Sequence, residues 1–181
     1  MHHMLMTLSR RMAVIGGLVL GALVLLTVIS VAGRLLNGAL HGAFWQGTAP
    51  ELANALLSFG IGPINGDVEL TEVGIAFAIV SFLPLCHIAG AHATVDVFAS
   101  RFPPFVANIL ARITAMIFAA TMVLITVQFF QGTFSKARSG QTTFLIEFPI
   151  WWAYAACLPG LCLATAVSVY LAVRAPTGHQ Q

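Results

Sequence analysis

Four long stretches of this chain contain no Asp, Glu, Lys or Arg: residues 12–33, 73–91, 113–135 and 148–173. They are 22, 19, 23 and 26 residues long. At a helical rise of about 1.5 Å per residue, each reaches roughly 28–39 Å, enough to cross a hydrocarbon core of about 30 Å. Barrel strands would instead need alternating segments of about ten residues, which the sequence does not contain. Composition agrees. Of 181 residues 59% are hydrophobic and only 8% charged, with a mean hydropathy of +0.92. A soluble domain carries about 25% charged residues, so a soluble enzyme, a nucleic-acid-binding domain and a disordered regulator are excluded. A net charge of +2 draws no polyanion; membrane lipid is the expected surroundings, with no nucleic acid. The chain reads as one all-α membrane domain over residues 1–181, with four transmembrane helices.

The charges outside the runs orient it. Arg10, Arg11, Arg101, Arg112 and Arg174 fall on one side of a four-span topology; Arg34, Lys136 and Arg138 fall on the other. Asp96 is the lone acid of the first side, against Glu51, Asp67, Glu69, Glu72 and Glu147 on the second. Lys and Arg favour the cytoplasmic side, so both termini are predicted to be cytoplasmic. Ser9-Arg10-Arg11 before an apolar run looks like an export signal, but a 22-residue run is long for one and three more spans follow. The first span is therefore read as a retained helix.

Two connections carry helical patterns of their own. Thr48-x-x-Glu51 has capping-box spacing with Pro50 in the first turn, and Leu52, Ala55, Leu56 and Phe59 then share a face before Gly60. This predicts a short amphipathic helix over 49–59, resting on the outer membrane surface or on a partner. Over 92–104, Val95, Phe98 and Phe102 share one face and His92, Asp96 and Ser100 another, with Pro103-Pro104 as the stop. That is a second interfacial helix, on the cytoplasmic side. Trp151, Trp152 and Tyr154 suit the membrane boundary at the start of the fourth span. Gly16, Gly17 and Gly21 offer close helix approach in the first, and Pro84 and Pro159-Gly160 are expected to bend the second and fourth.

Chemistry is sparse. Cys86, Cys157 and Cys162 all lie in apolar spans with no CxxC pair, which argues against thiol redox work. His87 is a candidate haem ligand, but the first, third and fourth spans contain no second histidine. No span holds a charged residue in its interior, which an independent ion-coupled transporter usually needs. An accessory subunit fits better. The alternative is the membrane anchor of a redox complex sharing haem or quinone between subunits.

One ordered set of motifs is more specific. Gly66-Asp67-Val68-Glu69-Leu70 leads into the second span, and His92-Ala93-Thr94-Val95-Asp96 follows it. Gly140-Gln141-Thr142-Thr143 precedes Pro149-Ile150-Trp151-Trp152-Ala153-Tyr154, with Pro159-Gly160 beyond. In this order and four-span frame, the chain resembles the small membrane subunit of tripartite ATP-independent periplasmic (TRAP) transporters, the dicarboxylate-type small permease family, over residues 12–173. The resemblance implies a large permease that carries the substrate and sodium sites, and a periplasmic binding protein that delivers an organic acid. The small subunit would brace the permease in the inner membrane, hold no cofactor and perform no catalysis. It further implies that Asp67, Glu69 and Glu72 lie at the outer end of the second helix. His92, Asp96 and Arg101 would lie on the cytoplasmic segment, and Trp151 and Tyr154 would anchor the fourth helix. All are expected in partner-interface or membrane-positioning roles. Residues 41–64 are an insertion relative to the family pattern, placed to touch the binding protein or the permease.

Overall fold

The computed structural model describes residues 2–58, 60, 62–90 and 103–174. Among the described residues six helices follow in chain order: α1 His2–Leu40, α2 Ala43–Thr48, α3 Pro50–Ser58, α4 Asp67–Ile88, α5 Pro104–Ser139 and α6 Ile150–Arg174. Four of them, α1, α4, α5 and α6, are long and apolar enough to cross a membrane. The helices outrun the uncharged runs. α1 continues past Arg10, Arg11 and Arg34, and α4 begins at Asp67 instead of Val73. Charge limits how much of a helix sits in hydrocarbon; it does not end the backbone hydrogen-bond ladder.

Successive spans run antiparallel, so the C-termini of α1 and α5 and the N-termini of α4 and α6 gather at one end. This end carries Asp67, Glu69, Glu72 and Glu147 and is called the acidic end below. In space the order is α1–α4–α6–α5, a row in which α6 lies between α4 and α5. Burial follows position: a third of the most apolar stretch of α6 is covered inside the chain, against 6% for α5.

Small residues set the contacts. A Cβ on Gly16 would lie 2.7 Å from that of Ser81, so glycine lets α1 approach α4. A Cβ on Gly160 would lie 3.0 Å from the Val80 carbonyl oxygen, so the same holds for α6 against α4. Gly17 meets only the tip of Phe82 at 4.0 Å, and Gly21 meets nothing, so of the three glycines expected to pack only Gly16 is pressed. Ala13, Ala78, Ala164 and Ser168 are buried beside them, as expected where lipid tails give no hydrophobic drive and close backbone contact must hold helices together. Between α5 and α6, the Thr126 and Thr165 hydroxyls lie 2.7 Å apart, and Thr165 also donates to the Met122 carbonyl at 3.2 Å. α5 reaches α4 through His87 and Phe118, whose rings stack at 4.2 Å.

The connection 41–66 holds two short helices, one more than its pattern predicts. Thr48 closes α2 instead of capping α3; Ala49, at φ −150°, separates them. Pro50 is the cause, because its ring disfavours helical backbone at the preceding residue. α3 matches the extent of the predicted amphipathic helix, but the residue it buries inside the chain is Ala53, off the predicted face, whose Leu52 and Ala55 are exposed. Of the second predicted interfacial helix, residues 92–102 lie outside the described residues. Pro103 and Pro104 open α5, a position where a missing N–H costs nothing.

Candidate functional site

The acidic end is tied together by two carboxylates of α4 that point in opposite directions. Two residues along a helix turn by about 200°, so Asp67 and Glu69 cannot share a face. Gly66 leads into α4 at φ +80°, a region glycine reaches without strain, and a Cβ there would run into the Ile146 side chain.

Asp67 faces α1. Its Oδ2 accepts a hydrogen bond from the Ser30 hydroxyl at 2.5 Å and lies 3.5 Å from the Arg34 guanidinium. Ser30 is wholly buried and in turn accepts from the Ile64 N–H at 3.3 Å, which draws the turn before α4 onto α1. Asp67 also accepts from the Val68 N–H with Oδ1, at 2.8 Å, bending over the first turn of its own helix. A carboxylate there is favoured, since the first N–H groups of a helix have no backbone partner.

Glu69 faces the connection between α5 and α6. Its two oxygens accept the backbone N–H groups of Leu145 at 2.7 Å and Ile146 at 3.1 Å. The connection is itself knotted. Gly140 leaves α5 at φ +62°, and Thr142 pairs with Pro149 as an antiparallel bridge. The Thr143 N–H donates to the Phe148 carbonyl at 2.9 Å while its hydroxyl accepts from the Phe148 N–H at 3.0 Å. Lys136 donates to the Gln141 side chain at 2.5 Å. Glu147 closes the turn in the left-handed region, at φ +56°. The loop therefore presents Phe144, at 94% exposure, on a backbone held by charge-assisted hydrogen bonds.

Below the knot, α4, α5 and α6 leave a cavity of about 410 Å³. Glu69, Glu72, Lys136 and Thr143 line its mouth; Val73, Ala76, Phe129, Ala153 and Cys157 line its depth. The Tyr154 ring stacks on Phe129 at 4.9 Å within its wall. Trp151 and Trp152 turn outward beside each other, their rings 5.7 Å apart.

The structure thus brings Asp67, Glu69, Glu72 and Tyr154 to one end of the molecule, with Trp151 at its edge. Asp67 and Glu69 have partners inside the chain. Glu72 is exposed at the cavity mouth. His92, Asp96 and Arg101 lie outside the described residues. Ser30, Arg34, Lys136 and Thr143 were not expected to take part. His87 lies in the second span, its ring against Phe118. Among the described residues no three His, Cys, Asp or Glu side chains gather as a metal site would require.

A single row of apolar helices, latched at one end and with most of its apolar surface open, is the form of a multi-pass membrane subunit. Residues 52–177 match the family described as tripartite ATP-independent periplasmic transporters, DctQ component, and the chain belongs to that family. DctQ proteins are the small membrane subunits of TRAP systems, which work with a large permease and a substrate-binding protein. The match begins inside α3, so α1 and α2 lie outside it, a shorter reach than the motif resemblance suggested. No curated protein and no solved structure matches the chain.

Proposed function

We propose that this chain braces the large permease of a sodium-coupled, binding-protein-dependent transporter for organic anions such as carboxylates. The observation that carries the reading is family membership joined to the row architecture, which exposes apolar surface along every span. Substrate and sodium are assigned to the permease and the binding protein, and this chain has no catalytic or cofactor role. It resides in the inner membrane with both termini cytoplasmic, which the distribution of Lys and Arg supports, so the acidic end faces the periplasm.

In that orientation α2 and α3 lie on the periplasmic side, where the binding protein docks on the permease. Glu72 and Trp151 meet the partner or the lipid headgroups there; His92, Asp96 and Arg101 do so on the cytoplasmic side. Asp67, Glu69 and Tyr154 act by holding the shape of that surface. The test is co-expression with the large permease, purification in mild detergent and sodium-dependent uptake of organic acids in proteoliposomes. A one-to-one complex is expected, and so is loss of uptake or assembly on deletion of residues 50–58. A chain that purifies alone, or with haem and a Soret band, contradicts the reading.

A further inference from the structure

We infer that the cavity between α4, α5 and α6 is a binding slot for one acyl chain of an amine-bearing, zwitterionic phospholipid, its ammonium on Glu72 and its phosphate on Lys136. The slot stands on its own geometry and does not depend on the transporter reading.

Its three walls lie side by side, and two of them change character in the same direction. On α4 the lining passes from Glu69 and Glu72 to Val73 and Ala76, and on α5 from Lys136 down to Phe129; the α6 wall, from Ile150 to Cys157, is apolar but for Tyr154. Each wall covers seven residue steps, which is about 10 Å of helix. A hydrocarbon core is about 30 Å thick, so the slot stays within one leaflet and opens at the headgroup level. Deeper in the molecule it is closed by packed layers: Gly160 against Val80, Thr126 with Thr165, and His87 stacked on Phe118. The site is therefore amphipathic along the membrane normal, polar at its mouth and apolar below, and its volume of about 410 Å³ is ligand-sized.

The charges at the mouth choose the headgroup. Glu69 is committed to the loop through both oxygens. Glu72 is left as the acceptor for a cation. Lys136 gives one donor to Gln141, and an ammonium has three. One carboxylate and one ammonium side by side complement a headgroup that carries both signs, such as phosphatidylethanolamine. An anionic headgroup such as phosphatidylglycerol would set its charge beside two glutamates.

The test places the complete chain in nanodiscs of equal phosphatidylethanolamine and phosphatidylglycerol and releases it into a native mass spectrometer. One retained phosphatidylethanolamine per chain is expected. Glu72→Gln should lower the ratio of retained phosphatidylethanolamine to phosphatidylglycerol about tenfold, the effect of losing one charge-assisted contact. Ala153→Phe, which fills the slot, should abolish retention of both lipids while helical content persists. An unchanged lipid ratio in Glu72→Gln overturns the inference even where Ala153→Phe fails to fold. So does full retention in a folded Ala153→Phe chain, or loss of the lipid on assembly with a partner, which would make the slot a seat for a protein side chain.

Discussion

At the scale of single residues, the acidic end rests on a few hydrogen bonds of unequal worth. Ser30 is buried and serves both Asp67 and the Ile64 N–H, so Ser30→Ala leaves an acceptor and a donor short. A loss of about 1–3 kcal/mol is expected, read as a lower melting temperature in detergent. Arg34→Ala should cost less than about 1 kcal/mol, because its side chain is 60% exposed and the ion pair is screened. Equal losses in the two variants would refute the greater worth assigned to the buried hydroxyl. Glu69→Gln turns one of two acceptors into a donor that faces the Leu145 and Ile146 N–H groups. Faster amide exchange at those two residues is expected, with α4 and α6 unchanged. The acids of this site are conspicuous in an otherwise uncharged sequence. Their opposite directions are legible only once α4 is known to begin at Asp67. Ser30 gives no signal at all: it is a lone hydroxyl in an apolar span whose partner lies 37 residues away.

At the scale of elements, four absences of charge announced four helices, and four helices among the described residues are long and apolar enough to span a membrane. Their ends were less legible, since a helix can carry arginines into the headgroup region without breaking. The split between α2 and α3 is a backbone effect of Pro50, which the capping-box spacing of Thr48 and Glu51 does not reveal. Packing glycines could not be sorted by sequence, because Gly16 and Gly21 have similar surroundings in the chain and differ only in what lies across from them. This difference is measurable. Gly160→Ala places a methyl group against the Val80 backbone and should destabilise by about 1–3 kcal/mol. Gly21→Ala faces open space and should stabilise slightly or change nothing, since alanine is the better helix former by about 1 kcal/mol. Equal stability of the two variants in a detergent melt would refute the α4–α6 contact.

At the scale of the whole molecule, the spatial order α1–α4–α6–α5 departs from the order of synthesis, and this bears on how the chain is made. α1 and α4 are neighbours in sequence and in space, so they can pair as soon as both are inserted. α5 emerges next and finds little to hold except the His87 ring against Phe118. Its main partner, α6, leaves the ribosome after it, and must settle between two helices already in the bilayer. Assembly in lipid proceeds by insertion first and association second, and here the second stage waits for α6. Chains truncated after residue 149 should therefore keep α1 on α4, read as slow amide exchange at Ile64, whose N–H is held by Ser30, while α5 remains loose and open to membrane proteases. Full-length chains should gain a crosslink between positions 126 and 165 only after α6 is released. The most covered helix of the row thus arrives after the neighbours it joins, and quality control in the membrane has α5 as its exposed handle until that moment.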